Sequence, residues 1–293
     1  MSGDTAVREP GPLRHGRRQV GVSTLASQWY CELKIDLKHL HPEIRALSPA
    51  LDLGTEGHER LSAGARPITR EDFEKDVAEG RELYLQESRF EAEIDGVPVI
   101  GVPDLVHLQG RRCDLVLEMK FSRRPALYVD RYVQAQTYGL LLAQNGFDMA
   151  RTACVVGIVP SPLEGGRDEK LKALRQEGVL HRILDRCWSL AEQDGKRWAA
   201  RGVKNPLTLQ EGPVTLQAFP FKSSDVQEHL RWAFDFWKSR RDPEAATTPA
   251  KCKVCPYNAA RVCGSAKAPP DRAFRTRTIR EDGKEFLEVT LTR

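Results

Sequence analysis

The spacing of apolar and polar residues divides the first half of the chain into one helical stretch and a series of short strands. Apolar side chains recur at fourfold spacing over residues 23–40, which predicts an amphipathic helix. Between Arg89 and Phe121 the apolar runs are short, and the dipeptide Asp95-Gly96 and the segment Gln109–Arg112 separate them. Short turn-forming segments between apolar runs are typical of β-hairpins. We therefore predict two consecutive hairpins that share one strand over Val97–Leu108.

The second half begins with a further helix and strand and then becomes more polar. A helical pattern over residues 130–144 precedes an apolar run at 153–160, which predicts a helix packed on a buried strand. Charged helical spacing follows at 168–200, an apolar run at 213–221, and a closing hairpin around Asp282-Gly283. Strands, a helix and a further strand in this order predict an α/β fold, a mixed sheet flanked by helices.

Composition indicates a globular protein and leaves its partners open. The 293 residues include 40% hydrophobic and 29% charged side chains, and the net charge is only +4, so any basic surface for nucleic acid must be local. No apolar run approaches the roughly 20 residues of a membrane span, and residues 1–20 contain no apolar signal core. We therefore expect a cytoplasmic protein without membrane contact, whose seven cysteines are thiols or metal ligands.

Five polar residues between positions 104 and 138 form the candidate site. Asp104 ends one apolar run, and Glu118 and Lys120 lie on the next strand, where alternation places them on one face roughly 6–7 Å apart. Gln134 and Tyr138 share a helix face because they are four residues apart. Each feature alone is more often an ordinary solvated surface. Together, two acids and a lysine beside a polar helix face favour a divalent-metal site that cleaves phosphodiesters.

The register of the second hairpin decides whether the two acids can share a metal ion. Pairing Leu108 with Cys113 in a plain ladder places Asp104 opposite Leu117, so that Glu118 points to the other face of the sheet. A shared site therefore requires a five-residue loop or a β-bulge in this hairpin.

The order of these motifs resembles the RecB-type branch of the PD-(D/E)XK nucleases. The matching segments are Gly54-Thr55-Glu56-Gly57-His58, Gly101-Val102-Pro103-Asp104, Glu118-Met119-Lys120, and Gln134 with Tyr138. The resemblance implies a restriction-endonuclease-like fold and a Mg²⁺ or Mn²⁺ site whose ligands are His58, Asp104, Glu118 and the carbonyl of Met119. It also implies that the catalytic residues are Asp104, Glu118, Lys120, Gln134 and Tyr138. Lysine would orient water and neutralise phosphate, and glutamine and tyrosine would donate to the nucleic-acid backbone.

Four of the cysteines suggest a second metal centre. Cys31 stands alone near the start, whereas Cys252, Cys255 and Cys263 are close together near the end, with seven residues in the last interval where five are usual. This arrangement, with the segment Ser27–Leu33, resembles iron–sulfur members of the same branch, which are the CRISPR-associated exonucleases (Cas four family), exonuclease V and the AddB nuclease domain. The resemblance implies a 4Fe-4S cluster on these four thiolates, and zinc is the alternative. The remaining cysteines lie in apolar stretches and are expected to be buried: Cys113, Cys154 and Cys187.

On this interpretation the chain has four parts: a flexible basic arm (1–21), a nuclease core (22–160), a mostly helical insertion or subdomain (161–246), and an iron–sulfur segment with a C-terminal hairpin (247–293). The cluster joins the N-terminal and C-terminal segments. The expected function is metal-dependent exonuclease action on single-stranded DNA, in CRISPR spacer acquisition or DNA repair, with proteins of those processes as partners. The alternatives are a catalytically weak DNA-binding or scaffold protein and a zinc-bound nucleic-acid factor.

Overall fold

The computed structural model describes residues 12–47, 68–122, 124–159, 194–211 and 214–292, together with residues 185, 187, 189 and 192. The segment 54–58, which includes the predicted metal ligand His58, lies outside the described residues.

The described residues form twelve strands and seven α-helices. The strands are β1 (Val20–Gly21), β2 (Ile44–Leu47), β3 (Glu82–Gln86), β4 (Phe90–Ile94), β5 (Val97–Gly101), β6 (Leu105–Gln109), β7 (Arg112–Phe121), β8 (Ala153–Val159), β9 (Leu207–Glu211), β10 (Val214–Pro220), β11 (Phe274–Glu281) and β12 (Lys284–Leu291). The helices are α1 (Val22–Leu40), α2 (Arg70–Ala78), α3 (Val129–Gln144), α4 (Gly195–Ala199), α5 (Ser223–Trp237), α6 (Pro249–Lys253) and α7 (Pro256–Ala259). Among these helices none is long and apolar enough to cross a membrane.

A mixed sheet lies at the centre of the fold, with the strand order β3-β6-β7-β8-β10-β9. Strands β7 and β8 are parallel and are connected through α3, whereas the other neighbours are antiparallel. Side chains of β7 alternate between two cores: Val116 packs in the core that contains α3, and Leu115 and Leu117 pack on the opposite face. Both faces are covered, which explains the almost continuous apolar sequence of β7 and β8. The predicted α/β core with a mixed sheet is confirmed.

Two turns predicted from Asp-Gly pairs are present, and one predicted strand is divided. Asp95-Gly96 and Asp282-Gly283 have positive φ at both residues, which is the type I′ geometry that matches strand twist in hairpins. The strand predicted over Val97–Leu108 is instead β5 and β6, which belong to different sheets. Pro103 lies at the division, where its missing N–H prevents a continuous ladder.

The two ends of the described chain share a small sheet and core. Strand β2, which follows α1, pairs in parallel with β12 of the C-terminal hairpin. Leu37, Ile44, Tyr257 and Val289 form a common apolar cluster beside this sheet. The N-terminal and C-terminal segments are therefore held together by backbone pairing and apolar contacts.

The described part of the predicted flexible arm is packed against the domain. Leu13 is only 6% exposed, and Arg14 donates from Nε to the Phe236 carbonyl at 2.9 Å while its guanidinium lies 4.5 Å from the Phe236 ring centre. Strand β1 pairs with β5. The prediction of a flexible arm therefore does not hold for residues 12–21, because helix α5 provides a binding surface that the local sequence does not reveal.

The described part of the region 161–246 contributes to the central domain. Strands β9 and β10 extend the central sheet beyond β8, and Leu230 and Phe234 of α5 pack in the same core as α3. We predicted a mostly helical insertion or subdomain here, whereas these residues complete the sheet and its helical layer. Strand β10 is buried along most of its length, so it could not remain stable apart from the sheet.

Candidate active site and cysteine pocket

The β6–β7 hairpin contains the bulge that a shared site requires. Leu108 pairs with Cys113, as in a plain ladder, but His107 pairs with Leu115, so Asp114 is an extra residue in β7. Beyond this bulge Leu105 pairs with Leu117, and the same register places the residues before and after them, Asp104 and Glu118, opposite each other. The two acids predicted to share a site therefore point to one face of the sheet.

A polar cluster on the other face of the sheet surrounds the extra residue. Asp114 accepts hydrogen bonds from Arg112 Nε and Nη2 at 2.7 and 3.1 Å, and His107 lies between the carboxylates of Asp114 and Glu82, at 3.4 and 3.0 Å. Burial opposes charge on both groups, yet the hydrogen bonds to Asp114 and Glu82 raise the pKa of His107. Bonds from His107 and Arg112 likewise lower the pKa of Asp114 against the effect of its burial. Opposite charges thus satisfy the polar groups at the bulge.

Three polar side chains surround the buried carboxylate of Glu118. Oε1 of Glu118 accepts hydrogen bonds from Lys120 Nζ and from Gln134 Nε2, each at 2.7 Å. The Gln134 amide also donates to the Tyr138 hydroxyl at 3.0 Å. Glu118 is only 3% exposed, whereas the Lys120 side chain is 27% exposed. The carboxylate is therefore fixed in orientation, while the ammonium group can be reached from solvent.

Asp104 is attached to the strand that carries Glu118. Its Oδ2 accepts a hydrogen bond from the backbone N–H of Met119 at 2.5 Å. The Met119 side chain lies on the other face, where Gly157 leaves room for its sulfur. This contact, together with the bulge, fixes the Asp104 carboxylate beside the Glu118 position.

The Tyr138 hydroxyl faces both acids and remains protonated. Burial raises the pKa of Tyr138 well above its usual value, and the negative charges of Glu118 and Asp104 raise it further. A phenol that cannot ionise acts as a hydrogen-bond donor or acceptor over the whole physiological range. The structure thus brings together five of the predicted site residues, listed in chain order: Asp104, Glu118, Lys120, Gln134 and Tyr138.

The carboxylates of Asp104 and Glu118 fit a hard divalent cation. Mg²⁺ commonly binds one or two protein carboxylates and keeps several waters. Within the described part of the chain, no three His, Cys, Asp or Glu side chains are grouped closely enough to hold a metal ion. The third side-chain ligand predicted from the sequence, His58, lies outside that part.

Gly101 allows the Tyr138 ring to lie against β5. A Cβ atom at position 101 would be 2.8 Å from two ring carbons of Tyr138 and 2.8 Å from Cδ1 of Leu141. Real Cβ atoms do not approach neighbours so closely, so any larger residue would displace the ring. The sequence contains Gly101 in the aspartate motif, but its role depends on how α3 packs on β5 and could not be predicted.

We expect Gly101→Ala to lower both stability and cleavage. Overpacking of this kind typically costs about 1–3 kcal/mol of unfolding free energy, and a displaced Tyr138 hydroxyl would no longer support Gln134 and Glu118. Thermal unfolding and nucleic-acid cleavage measure the two effects. Gly195→Ala is the matched control, because nothing lies within 4 Å of a Cβ atom at that position. Wild-type cleavage by Gly101→Ala would contradict the role assigned to Tyr138.

All four cysteines predicted to hold a cluster line one pocket between the two ends of the chain. The cysteines at this pocket are Cys31, Cys252, Cys255 and Cys263. Lys34 and Lys251 also line it. Residues separated by more than 200 positions in the sequence thus line the same pocket.

The thiols of the pocket influence the ionisation of the groups beside them. Burial raises the pKa of Tyr30 to about 12, and charges on Cys255, Cys31 and Cys252 contribute to this increase. Burial also raises the pKa of the Cys263 thiol, with the other three cysteines adding to the effect. Each thiolate would repel the others, and bound metal cations would remove this repulsion.

The chemistry of the pocket fits a thiolate-bound metal centre. Four thiolates are the donor set of a structural zinc ion and also of a 4Fe-4S cluster. In the described part of the chain the four sulfurs are not grouped closely enough to hold a metal ion, so the donor set does not distinguish the two. The remaining three cysteines were predicted to be buried, and this prediction is confirmed, since Cys113, Cys154 and Cys187 are fully buried.

Comparison with known proteins gives one clear result. The model of the family described as the PD-(D/E)XK nuclease superfamily matches residues 28–264, which is most of the chain. No curated protein matches. Among solved structures, the crystal structure of SSO0001 is 11% identical and has a TM-score of 0.38, with 85% of this chain and 87% of that chain covered. A similarity at this level carries no argument about function.

Proposed function

The chain belongs to the PD-(D/E)XK nuclease superfamily, whose members are in general metal-dependent nucleases acting on nucleic acid, and from this premise we propose that it is a DNA exonuclease with a preference for single strands. The observation that supports the assignment of this activity to particular residues is the bulged register that pairs Leu105 with Leu117, since its continuation brings Asp104 opposite Glu118. Without it the acids of the two strands would point to different faces.

The two carboxylates are proposed to hold Mg²⁺ or Mn²⁺. Asp104 and Glu118 supply hard oxygen donors, and His58 and the carbonyl of Met119 are the further ligands implied by the sequence motifs. When bound, the cation stabilises charge on the scissile phosphate and acidifies a water molecule. Glu118 remains oriented for this role because Gln134 and Lys120 both donate to its Oε1.

Lys120 is proposed to contact the reacting phosphate. Its ammonium group lies 2.7 Å from Glu118 and remains partly exposed, so a phosphate oxygen or a nucleophilic water can approach it from the solvent side. A fixed positive charge at this position favours the transition state, in which negative charge on the phosphate is redistributed. Gln134 and Tyr138 keep the Glu118–Lys120 pair in place, because the Gln134 amide donates to both Glu118 and Tyr138.

The four pocket cysteines are proposed to hold a 4Fe-4S cluster with a structural role. Such a cluster would link α1, through Cys31, to the segment that contains Cys252, Cys255 and Cys263 by iron–thiolate bonds. None of the residues that line the pocket belongs to the polar cluster around Glu118. We therefore assign the iron–sulfur cluster no part in phosphodiester cleavage. Zinc remains the alternative occupant, and iron and zinc analysis distinguishes the two.

The preference for single-stranded DNA and the exonuclease mode rest on sequence resemblance. The four-cysteine pattern and the segment Ser27–Leu33 are similar to those of the CRISPR-associated exonucleases and exonuclease V. Either CRISPR spacer acquisition or DNA repair would provide DNA ends as substrates, and the proteins of those processes would be partners in a cytoplasmic setting.

A comparison of linear and circular substrates tests this proposal. Purified protein is incubated with end-labelled linear single-stranded DNA and with a covalently closed single-stranded circle of the same sequence, with and without Mn²⁺. We expect metal-dependent loss of the linear strand and at least about tenfold slower loss of the circle, because an enzyme that requires an end cannot start on it. Equal rates on both would identify an endonuclease, and absence of metal-dependent cleavage of any DNA or RNA would contradict the enzymatic assignment.

A further inference from the structure

Helix α1 is broken at Cys31, although its sequence contains nothing that breaks helices. Cys31 has φ −170° and ψ 108°, which is extended backbone. Neither proline nor glycine occurs between Val22 and Leu40, and local propensity would therefore continue the helix through Cys31. The break must be imposed by contacts with other parts of the chain.

Contacts from the segment Arg241–Lys251 replace hydrogen bonds that the break removes. In an unbroken helix the N–H of Leu33 would donate to the carbonyl of Trp29. Here Leu33 N donates to the Glu244 carbonyl at 2.9 Å. The ammonium group of Lys251 donates to the carbonyls of Trp29 and Tyr30 at 3.2 and 2.9 Å. The N–H of Leu33 and the carbonyl of Trp29, which would bond to each other in a continuous helix, thus each have a different partner. Buried backbone groups require such partners.

The side chain of Glu32, next to the break, anchors the same segment. Its carboxylate is 0% exposed and accepts hydrogen bonds from Arg241 Nη2 and from the backbone N–H of Glu244, both at 2.8 Å. Gln28 Nε2 also donates to it at 2.7 Å. A fully buried carboxylate is stable only with a cation and hydrogen-bond donors of this kind. The late segment is therefore fixed against α1 at the residue that follows Cys31.

We propose that residues 241–251, which we term the clasp, break α1 and thereby place the Cys31 thiol in the pocket with Cys252, Cys255 and Cys263. Arg241 and Lys251 are on this inference positioning residues for the metal centre, although neither is a ligand. The inference deepens the cluster site proposed above and rests on it. The contacts of the clasp themselves involve only protein atoms.

The contacts of the clasp can form without a metal ion, because the late segment docks on α1 through Glu32 and the carbonyls of residues 29 and 30. A protein that has already gathered the four thiols would bind a metal centre at a lower ordering cost.

Disulfide trapping in metal-free protein tests the clasp without using catalysis. Metal-free wild type and the variants Lys251→Met, Lys251→Arg and Lys253→Met are oxidised briefly with diamide, and peptide mass spectrometry measures the disulfides formed. The ratio of Cys31-containing disulfides to disulfides among Cys252, Cys255 and Cys263 is the readout. Oxidation at two pH values separates the proximity of the thiols from an effect of the lysine charge on their ionisation, because only the second depends on pH. Lys253 is the matched control, since it belongs to the same short helix but is exposed.

We expect Lys251→Met to lower the ratio at least fivefold, Lys251→Arg to restore most of it, and Lys253→Met to match wild type. After anaerobic reconstitution, iron content should follow the same order. A ratio in Lys251→Met equal to that of wild type would overturn the clasp. If no variant and no wild-type protein binds iron, the cluster proposal fails, and the disulfide ratio still decides whether the clasp exists. Thermal unfolding of every variant, Lys251→Met included, shows whether the comparison concerns folded protein, and a lowered ratio counts for the clasp only where Lys251→Met is folded at the temperature of oxidation.

Discussion

Replacing Glu118 with glutamine is expected to lower DNA cleavage by two to three orders of magnitude while the protein remains folded. Glutamine has nearly the same shape and can still accept hydrogen bonds from Lys120 and Gln134 at the position of Oε1. It carries no negative charge, however, so it binds a divalent cation weakly and cannot complete the site with Asp104. DNA affinity should change only a few-fold, because contacts to phosphates elsewhere supply most of it.

Single-turnover cleavage of end-labelled single-stranded DNA in Mn²⁺ measures this effect, and thermal unfolding measures stability. Glu93→Gln is the matched control, since Glu93 is an exposed residue of the neighbouring hairpin, and it should cleave at the wild-type rate. Near-normal cleavage by Glu118→Gln, with the substitution verified, would show that the site of hydrolysis lies elsewhere.

Replacing Cys255 with serine is expected to remove the metal centre and much of the stability that it provides. Protein purified without oxygen should be brown and contain about four iron and four sulfide per chain, and the variant should fall below about one iron. Joining Cys31 to Cys252 closes nearly the whole chain, which by the loop-entropy model for disulfides is worth at most roughly 5 kcal/mol. The pairing of β2 with β12 and the clasp already restrain the same loop, so the measured loss should be smaller.

Iron, sulfide and zinc analysis together with denaturant unfolding tests this prediction. Cys154→Ala is the control, because Cys154 is buried in the central core and does not line the pocket. It should keep its iron even if its core packing is weakened. Colourless wild-type protein that carries one zinc ion per chain would replace the iron–sulfur proposal with the zinc alternative.

The parts of the fold that follow from local chemistry could be predicted from the sequence. The turns at Asp95-Gly96 and Asp282-Gly283 require positive φ at both residues, which these residue types adopt readily. The face shared by Glu118 and Lys120 follows from strand alternation, and the pair of Gln134 and Tyr138 from helical periodicity. In each case the structural feature is set by residues within a few positions of one another.

Features that depend on contacts between distant segments could not be predicted. The sequence around Cys31 favours a continuous helix, and the break exists because Glu244 and Lys251 take over its hydrogen bonds. The ordered turn at Arg14 likewise depends on Phe236. The requirement for a bulge or a longer loop could be stated beforehand, but the choice of Asp114 as the extra residue depends on His107 and Arg112 around it.

The extra residue at Asp114 also bears on how relatives of this chain are identified. A β-bulge absorbs one residue without changing which side chains lie opposite each other beyond it. A related chain that lacked this residue could pair Cys113 directly before Leu115 and still set the two acids face to face. The interval between the aspartate motif and the acid-x-lysine motif can therefore change by one without loss of the site. Search patterns that fix the number of residues between the two motifs would discard functional relatives. Patterns that allow this number to vary by one would retain them.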